Sequence, residues 1–242
     1  FNDDNGPLCT GLHASISTTL AAGTYYVVSE GYNTGVGAIT TTIKTTTACP
    51  TTTTLNLTAF IEGYYLGGGQ MQAVLFINGL SASPTAFDSI NVELHNPTSP
   101  YAIFTSVKSL LNTNGTAVVN FPVYILNQSF YIVIRHRNTL ETWSASPVLI
   151  QNNMTYNFTL NLATAYGSNL RDLGDGNFAL WSGDVNQDGF IEATDFNAIE
   201  NASQNFLSGY ITTDITGDAF FGSSDYGLIE NKVALLLILS RP

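Results

Sequence analysis

Residues 184–203 read DVNQDGFIEATDFNAIENAS, and residues 214–233 read DITGDAFFGSSDYGLIENKV. The offset is 214 − 184 = 30 residues, and Asp, Asp, Phe, Asp, Ile, Glu and Asn recur at matching places. Each copy opens with a loop that puts oxygen side chains at positions 1, 3, 5 and 12, which is how a flexible chain wraps a hard cation such as Ca2+. In the first loop the ligands are Asp184, Asn186, Asp188, the backbone carbonyl of Phe190, and Asp195, with Glu192 at the position that acts through water. Gly189 falls where the loop turns sharply. The second loop offers Asp214, Thr216, Asp218, the carbonyl of Phe220, and Asp225. There Ala219 replaces the turn glycine, and Thr216 is a poorer ligand than Asn. A weaker second site is expected, because a φ > 0 position disfavours a Cβ. A helix is expected over 194–202, with Asp195 favouring its N-terminal dipole. Ile191 is expected to bridge the two loops.

A loop followed by one helix, twice, differs from an EF-hand, which has helices on both sides. GDVNQDGFIEATDF and TDITGDAFFGSSDY resemble the two calcium-binding segments of a type I dockerin-like domain, over about 60 residues near the C-terminus. The resemblance implies two loop–helix motifs related by a pseudo-twofold axis, calcium-dependent folding, and docking onto a cohesin-like domain. Family recognition positions fall on Ala193, Thr194, Glu200 and Asn201 in one copy and on Ser223, Ser224, Glu230 and Asn231 in the other. The Glu-Asn pairs are identical, a symmetry that permits two binding orientations. FNDDNGPLCTGLHAS (1–15) and LAAGTYYVVSEGY (20–32) are similar to the closing strands of a pre-peptidase C-terminal-like β-sandwich, which the resemblance implies over 1–44. The arrangement also resembles C-terminal regions of large Bacteroidetes-type surface proteins, and a sandwich followed by a dockerin resembles an X-module–dockerin pair.

The rest of the chain reads as β. Outside the repeats, runs of strand composition fall at 55–62, 71–77, 90–94, 117–121, 130–137, 148–150 and 155–162, separated by turn residues. This spacing favours an immunoglobulin-like or transthyretin-like β-sandwich over 55–163. In 130–137, Ile132, Ile134 and His136 are expected on the core face. Residues 1–44 hold three shorter β-like runs, at 13–20, 25–30 and 38–44, read as the end of another sandwich or as strands that pair with a neighbour. A Thr-rich spacer covers 45–54 and a glycine-bearing connector 164–182. The apolar run 233–239 is read as a buried strand pairing with 178–181, so that it clasps the ends of the module at 183–242. The fold class expected is mainly β, with a small α module.

Charge is scarce. Of 18 acidic residues, 11 lie after position 170, against 7 Lys and Arg in all, for a net charge of −11. That balance argues against nucleic acid, whose phosphates need cationic partners. No stretch of 18 apolar residues occurs, so no membrane-spanning helix is expected. Cys9 and Cys49 either form a disulfide, remain two thiols, or pair elsewhere. The six sequons, such as Asn56 and Asn201, are read as chance matches in a chain rich in Asn and Thr. His13, His95 and His136 lack metal-ligand spacing, and no nucleophile elbow, zinc motif or phosphate loop is present. Trp143, Tyr64 and Tyr65 are weighed as a sugar-stacking platform and read as packing residues. The expectation is a non-enzymatic, calcium-binding attachment region of a secreted or cell-surface bacterial protein. The alternatives are a structural subunit of an extracellular fibre or homo-oligomer, and a carbohydrate-binding accessory region of an upstream enzyme.

Overall fold

The computed structural model describes residues 18, 20, 23–28, 40–43, 51–220 and 222–242. The chain divides into two compact units, Phe1–Cys49 and Pro50–Pro242. In the first unit, residues 24–28 and 40–43 carry no strand, so the expected runs at 25–30 and 38–44 are not strands over those residues. The remainder of those runs, the run at 13–20 and both cysteines lie outside the described residues.

In the second unit, β1 (Thr52–Thr58) threads between two partners. It pairs antiparallel with β6 (Thr116–Pro122) and parallel with β10 (Met154–Asn157). The strand starts three residues before Leu55, so the last threonines of the expected spacer belong to it. A small hairpin, β2 (Tyr65–Gly67) and β3 (Gln70–Met71), precedes α1 (Val74–Ile77). Residues 71–77 are therefore mostly helical and not the expected strand.

The second sheet runs in the order β5 (Ile103–Asn112), β4 (Ala86–His95), β7 (Ser129–Arg135), β8 (Thr142–Trp143), with β9 (Val148–Leu149) also on β7. Alternation along β4 and β7 sends Ile90, Val92, Leu94, Phe130, Ile132 and Ile134 into one core with Leu55, Leu57, Val119 and Phe121 from the other sheet. The second unit is thus a mainly β sandwich of two facing sheets. The opposite face of β7 is covered too: Tyr131 and Val133 pack with Trp143 in a smaller cluster.

Beyond the sandwich, β11 (Arg171–Asp172) pairs with β12 (Phe178–Ala179). The run at 178–181 therefore does not receive the C-terminal segment. Instead α3 (Ser223–Val233) extends into that segment, and β14 (Leu237–Ile238) pairs with β13 (Phe190–Ile191) inside the first repeat. Ile191 faces Leu237 and not the other loop. The reason is local: 223–233 has helical composition after its Asp225 start, leaving only two residues of the apolar run to add to an edge. In α3, Gly227 is exposed and a Cβ built there meets nothing within 4 Å. Gly227→Ala is expected to stabilise the protein by about 1 kcal/mol, read from the denaturant midpoint, because Ala loses less backbone entropy in a helix.

Candidate functional site

The two repeats fold alike. α2 (Ala193–Gln204) and α3 each follow their loop, and repeat-related residues meet: Phe196 and Tyr226 have ring centroids 5.8 Å apart. Val185, Ile191, Ile199, Ile215 and Ile229 form a separate small core, joined by Leu140 of the sandwich.

The carboxylates at loop positions 1 and 12 organise the backbone. Asp195 accepts from Val185 N at 2.8 Å and Asn186 N at 3.3 Å with one oxygen, and from Glu192 N at 3.1 Å with the other. Asp225 repeats this with Ile215 N, Thr216 N and Gly222 N at 3.2, 3.1 and 3.3 Å. Asp184 accepts from Gly189 N and Asp214 from Ala219 N, both at 3.2 Å. Asp188 and Asp218 each accept from the phenylalanine two residues on, at 3.0 and 2.9 Å. The backbone that carries the Phe190 and Phe220 carbonyls is thereby fixed in both loops.

The side chains expected as ligands are not gathered equally. Oxygens of Asp214, Asp218 and Asp225 all lie within 4.8 Å of one another, and among the described residues this is the sole such group. Six to eight oxygens at about 2.4 Å from a Ca2+ centre stand up to about 4.8 Å apart, so this donor set fits that ion. In each loop one expected ligand engages another: the Asn186 amide donates to Asp188 at 2.8 Å, and the Thr216 hydroxyl donates to Asp225 at 3.0 Å. The loop with the weaker ligand sequence is thus the one whose carboxylates converge.

Burial sets the electrostatics. Removed from water, Asp184 is pushed up to about 7, with the neighbouring Asp195 carboxylate adding to the effect. Asp214 is pushed up to about 6 by burial and by Asp225. Asp195 and Asp225 are raised for the same first reason. A cation between these groups removes the penalty on their ionised forms.

Sandwich residues that the sequence did not link to the loops brace the second loop. The Tyr64 hydroxyl donates to the Asp214 carbonyl at 3.0 Å, and the Asn138 amide donates to the same carbonyl at 3.1 Å and to Thr212 O at 3.2 Å. Gly63 lies so close that a Cβ would stand 2.0 Å from Ile215 O, and Gly217 is packed against Tyr64 and Val74. Lys232 is buried and reaches Ser182 O at 2.7 Å and Glu62 at 2.6 Å. Burial pushes its amine down, and the Glu62 charge opposes that. The repeat-related position in α2 is Ala202, which is also buried.

Above this seam, burial acts to raise Asp88. Hydrogen bonds from His136 at 3.0 Å and from Tyr210, with Arg137 alongside, outweigh it and hold the carboxyl at about 2. Trp143 and Tyr64 are buried, so neither offers a sugar-stacking surface.

The remaining positions named from the sequence lie outward. Ala193, Thr194, Asn201, Ser223, Ser224, Glu230 and Asn231 are exposed, and Glu200 is partly so. Ala219 takes φ = 67° where Gly189 takes 89°. Ala219→Gly is expected to stabilise the protein by about 1 kcal/mol, seen as a raised melting temperature, because it relieves a left-handed non-glycine residue. An unchanged or lower midpoint would show that the strain is absent.

No family model matches the chain, and no curated protein matches it. Among solved structures, two type II cohesin–X–dockerin complexes from Acetivibrio cellulolyticus, an N-terminal and a C-terminal interface mutant, align with TM-scores of 0.45 and 0.46. Each alignment has 14% identity and covers 74% of this chain and 94% of that chain. A likeness of that strength decides neither fold nor function. Among the described residues no helix is long and apolar enough to cross a membrane.

Proposed function

We propose that residues 183–242 form a dockerin-like calcium module through which a secreted or cell-surface bacterial protein is attached to a protein partner, without catalysis. The observation that carries this reading is the convergence of Asp214, Asp218 and Asp225 on the positions the repeat assigns to one ion. Asp214, Thr216, Asp218, Asp225 and the Phe220 carbonyl would hold one Ca2+. Asp184, Asn186, Asp188, Asp195 and the Phe190 carbonyl would hold another, with Glu192 acting through water. Bound calcium supplies charge neutralisation that lets closely spaced carboxylates share a small loop.

The module has two sides. The second loop is occupied by the adjacent sandwich, which serves as its internal partner. The exposed residues at 193–194, 201, 223–224 and 230–231 are left for an external one, for which a cohesin-like domain is the candidate.

The experiment is a count of bound calcium by native mass spectrometry and calorimetry on the full chain. Two ions are expected for the parent, and one for Asp195→Ala, which removes the last ligand of the first loop. A parent protein that takes up no calcium would sink the proposal.

A further inference from the structure

We propose that the cleft between the sandwich and the first loop binds a small ligand bearing a carboxylate. Asn91 on β4 lies directly across from Lys108 on β5 and from Arg135 on β7, so one row of three strands presents two cations about an amide. Arg137, two residues further along the chain, joins this wall. Gln187 of the first loop and Tyr210 form the other side, enclosing about 250 Å³.

The chain has 7 Lys and Arg against 18 acidic residues, yet three of the seven line this one cleft and no carboxylate side chain does. Asp88, Glu93 and Glu141 stand behind the wall and fix the guanidinium groups: Arg137 Nε on Asp88 at 3.0 Å, Arg135 Nε on Glu93 at 3.3 Å, and Arg135 Nη2 on Glu141. They position the forks without filling the cleft.

Lys108 is exposed and has no ion pair among the described residues. Arg137 Nη2 is buried and has no acceptor, while its sister nitrogens serve Asp88 and the Ile211 carbonyl. The Arg137 guanidinium lies over the Tyr210 ring, 4.3 Å from its centroid, so Nη2 sets positive charge behind the cleft wall without touching a ligand. An amide and an ammonium in front of two fixed guanidinium groups suit a carboxylate. A share of about 30 Å³ per water gives the cleft room for roughly eight waters, the scale of one sugar acid or acidic amino acid.

The test uses the 15N-labelled full chain in calcium at low salt, titrated with sodium galacturonate, sodium glutamate and neutral galactose. At least one carboxylate is expected to shift the Asn91 and Gln187 side-chain amides and the Arg137 guanidinium resonances, and galactose to leave them in place. Whichever of the two binds more tightly identifies the source of the carboxylate. Lys108→Gln, exposed and outside the core, is expected to weaken binding by about tenfold with an unchanged melting temperature. The proposal is overturned if neither carboxylate moves these signals, if galactose moves them equally, or if Lys108→Gln binds as the parent does.

Discussion

Gly63→Ala is expected to lift the second loop off the sandwich and to cost about 3 kcal/mol or more. The added methyl would stand 2.0 Å from Ile215 O and 2.8 Å from the Leu228 side chain. A side-chain end can rotate away, but a backbone carbonyl cannot. Moving it drags Asp214, whose own carbonyl is held by Tyr64 and Asn138. Those bonds are buried, so breaking them strands a hydroxyl and an amide together with the carbonyl. The check is urea unfolding combined with hydrogen exchange at residues 214–217. Protection there should drop while β4 and β7 stay protected. Parent-like stability would mean that the close approach at Gly63 is not real. Gly227→Ala is the matched control, since it adds the same methyl with nothing to meet.

On the proposed calcium reading, chelation is expected to have the other large effect, and its size depends on pH. At a calcium concentration of about 100 times the dissociation constant, each occupied site adds about 2.7 kcal/mol. Chelation at neutral pH therefore lowers the melting temperature sharply. Asp184 and Asp214 have folded values of about 7 and about 6, above the ordinary 3.8. The metal-free folded state thus holds protons more tightly than the unfolded chain. Its stabilisation from these groups is complete below pH 3.8 and is lost as pH rises through the folded values. Calcium needs the ionised groups, so its contribution grows over the same interval. The gap between melting curves in calcium and in chelator should be wide at about pH 7.5 and narrow at about pH 5. A gap that is constant across that range would separate the ion from these carboxylates.

The duplicated loop–helix pattern was the most legible part of the chain, because a repeat at fixed spacing can be read directly from the sequence. The helices that follow the loops, and the core face of β7 through Ile132 and Ile134, were legible for similar reasons of period and cap. β5 escaped notice since it is an edge strand: Ile103, Phe104 and Leu110 are exposed, and of its residues only Leu111 is buried. Its sequence therefore lacks the clean alternation that marks a half-buried strand. The run at 233–239 was misread because a short apolar stretch states that it is buried but not against what; Leu235, Leu236 and Ile238 are in fact exposed. The seam was invisible for a different reason. Tyr64 meets Asp214 across 150 residues, and Asn138 meets it across 76. A lone tyrosine beside a glycine carries no sign of such a partner.

The pairing of β1 has a mechanical consequence. Its ladder with β10 is parallel over Leu55↔Met154 to Thr58↔Asn157. Tension applied before β1 and beyond β10 draws the two strands in opposite directions along their length, so these ladder bonds are strained together and do not open one by one. The two-residue clasp of β13 and β14 has no such sharing and peels first. A chain under pull from its two ends would therefore yield at the C-terminal clasp early, while β1 keeps the sandwich closed at much higher load.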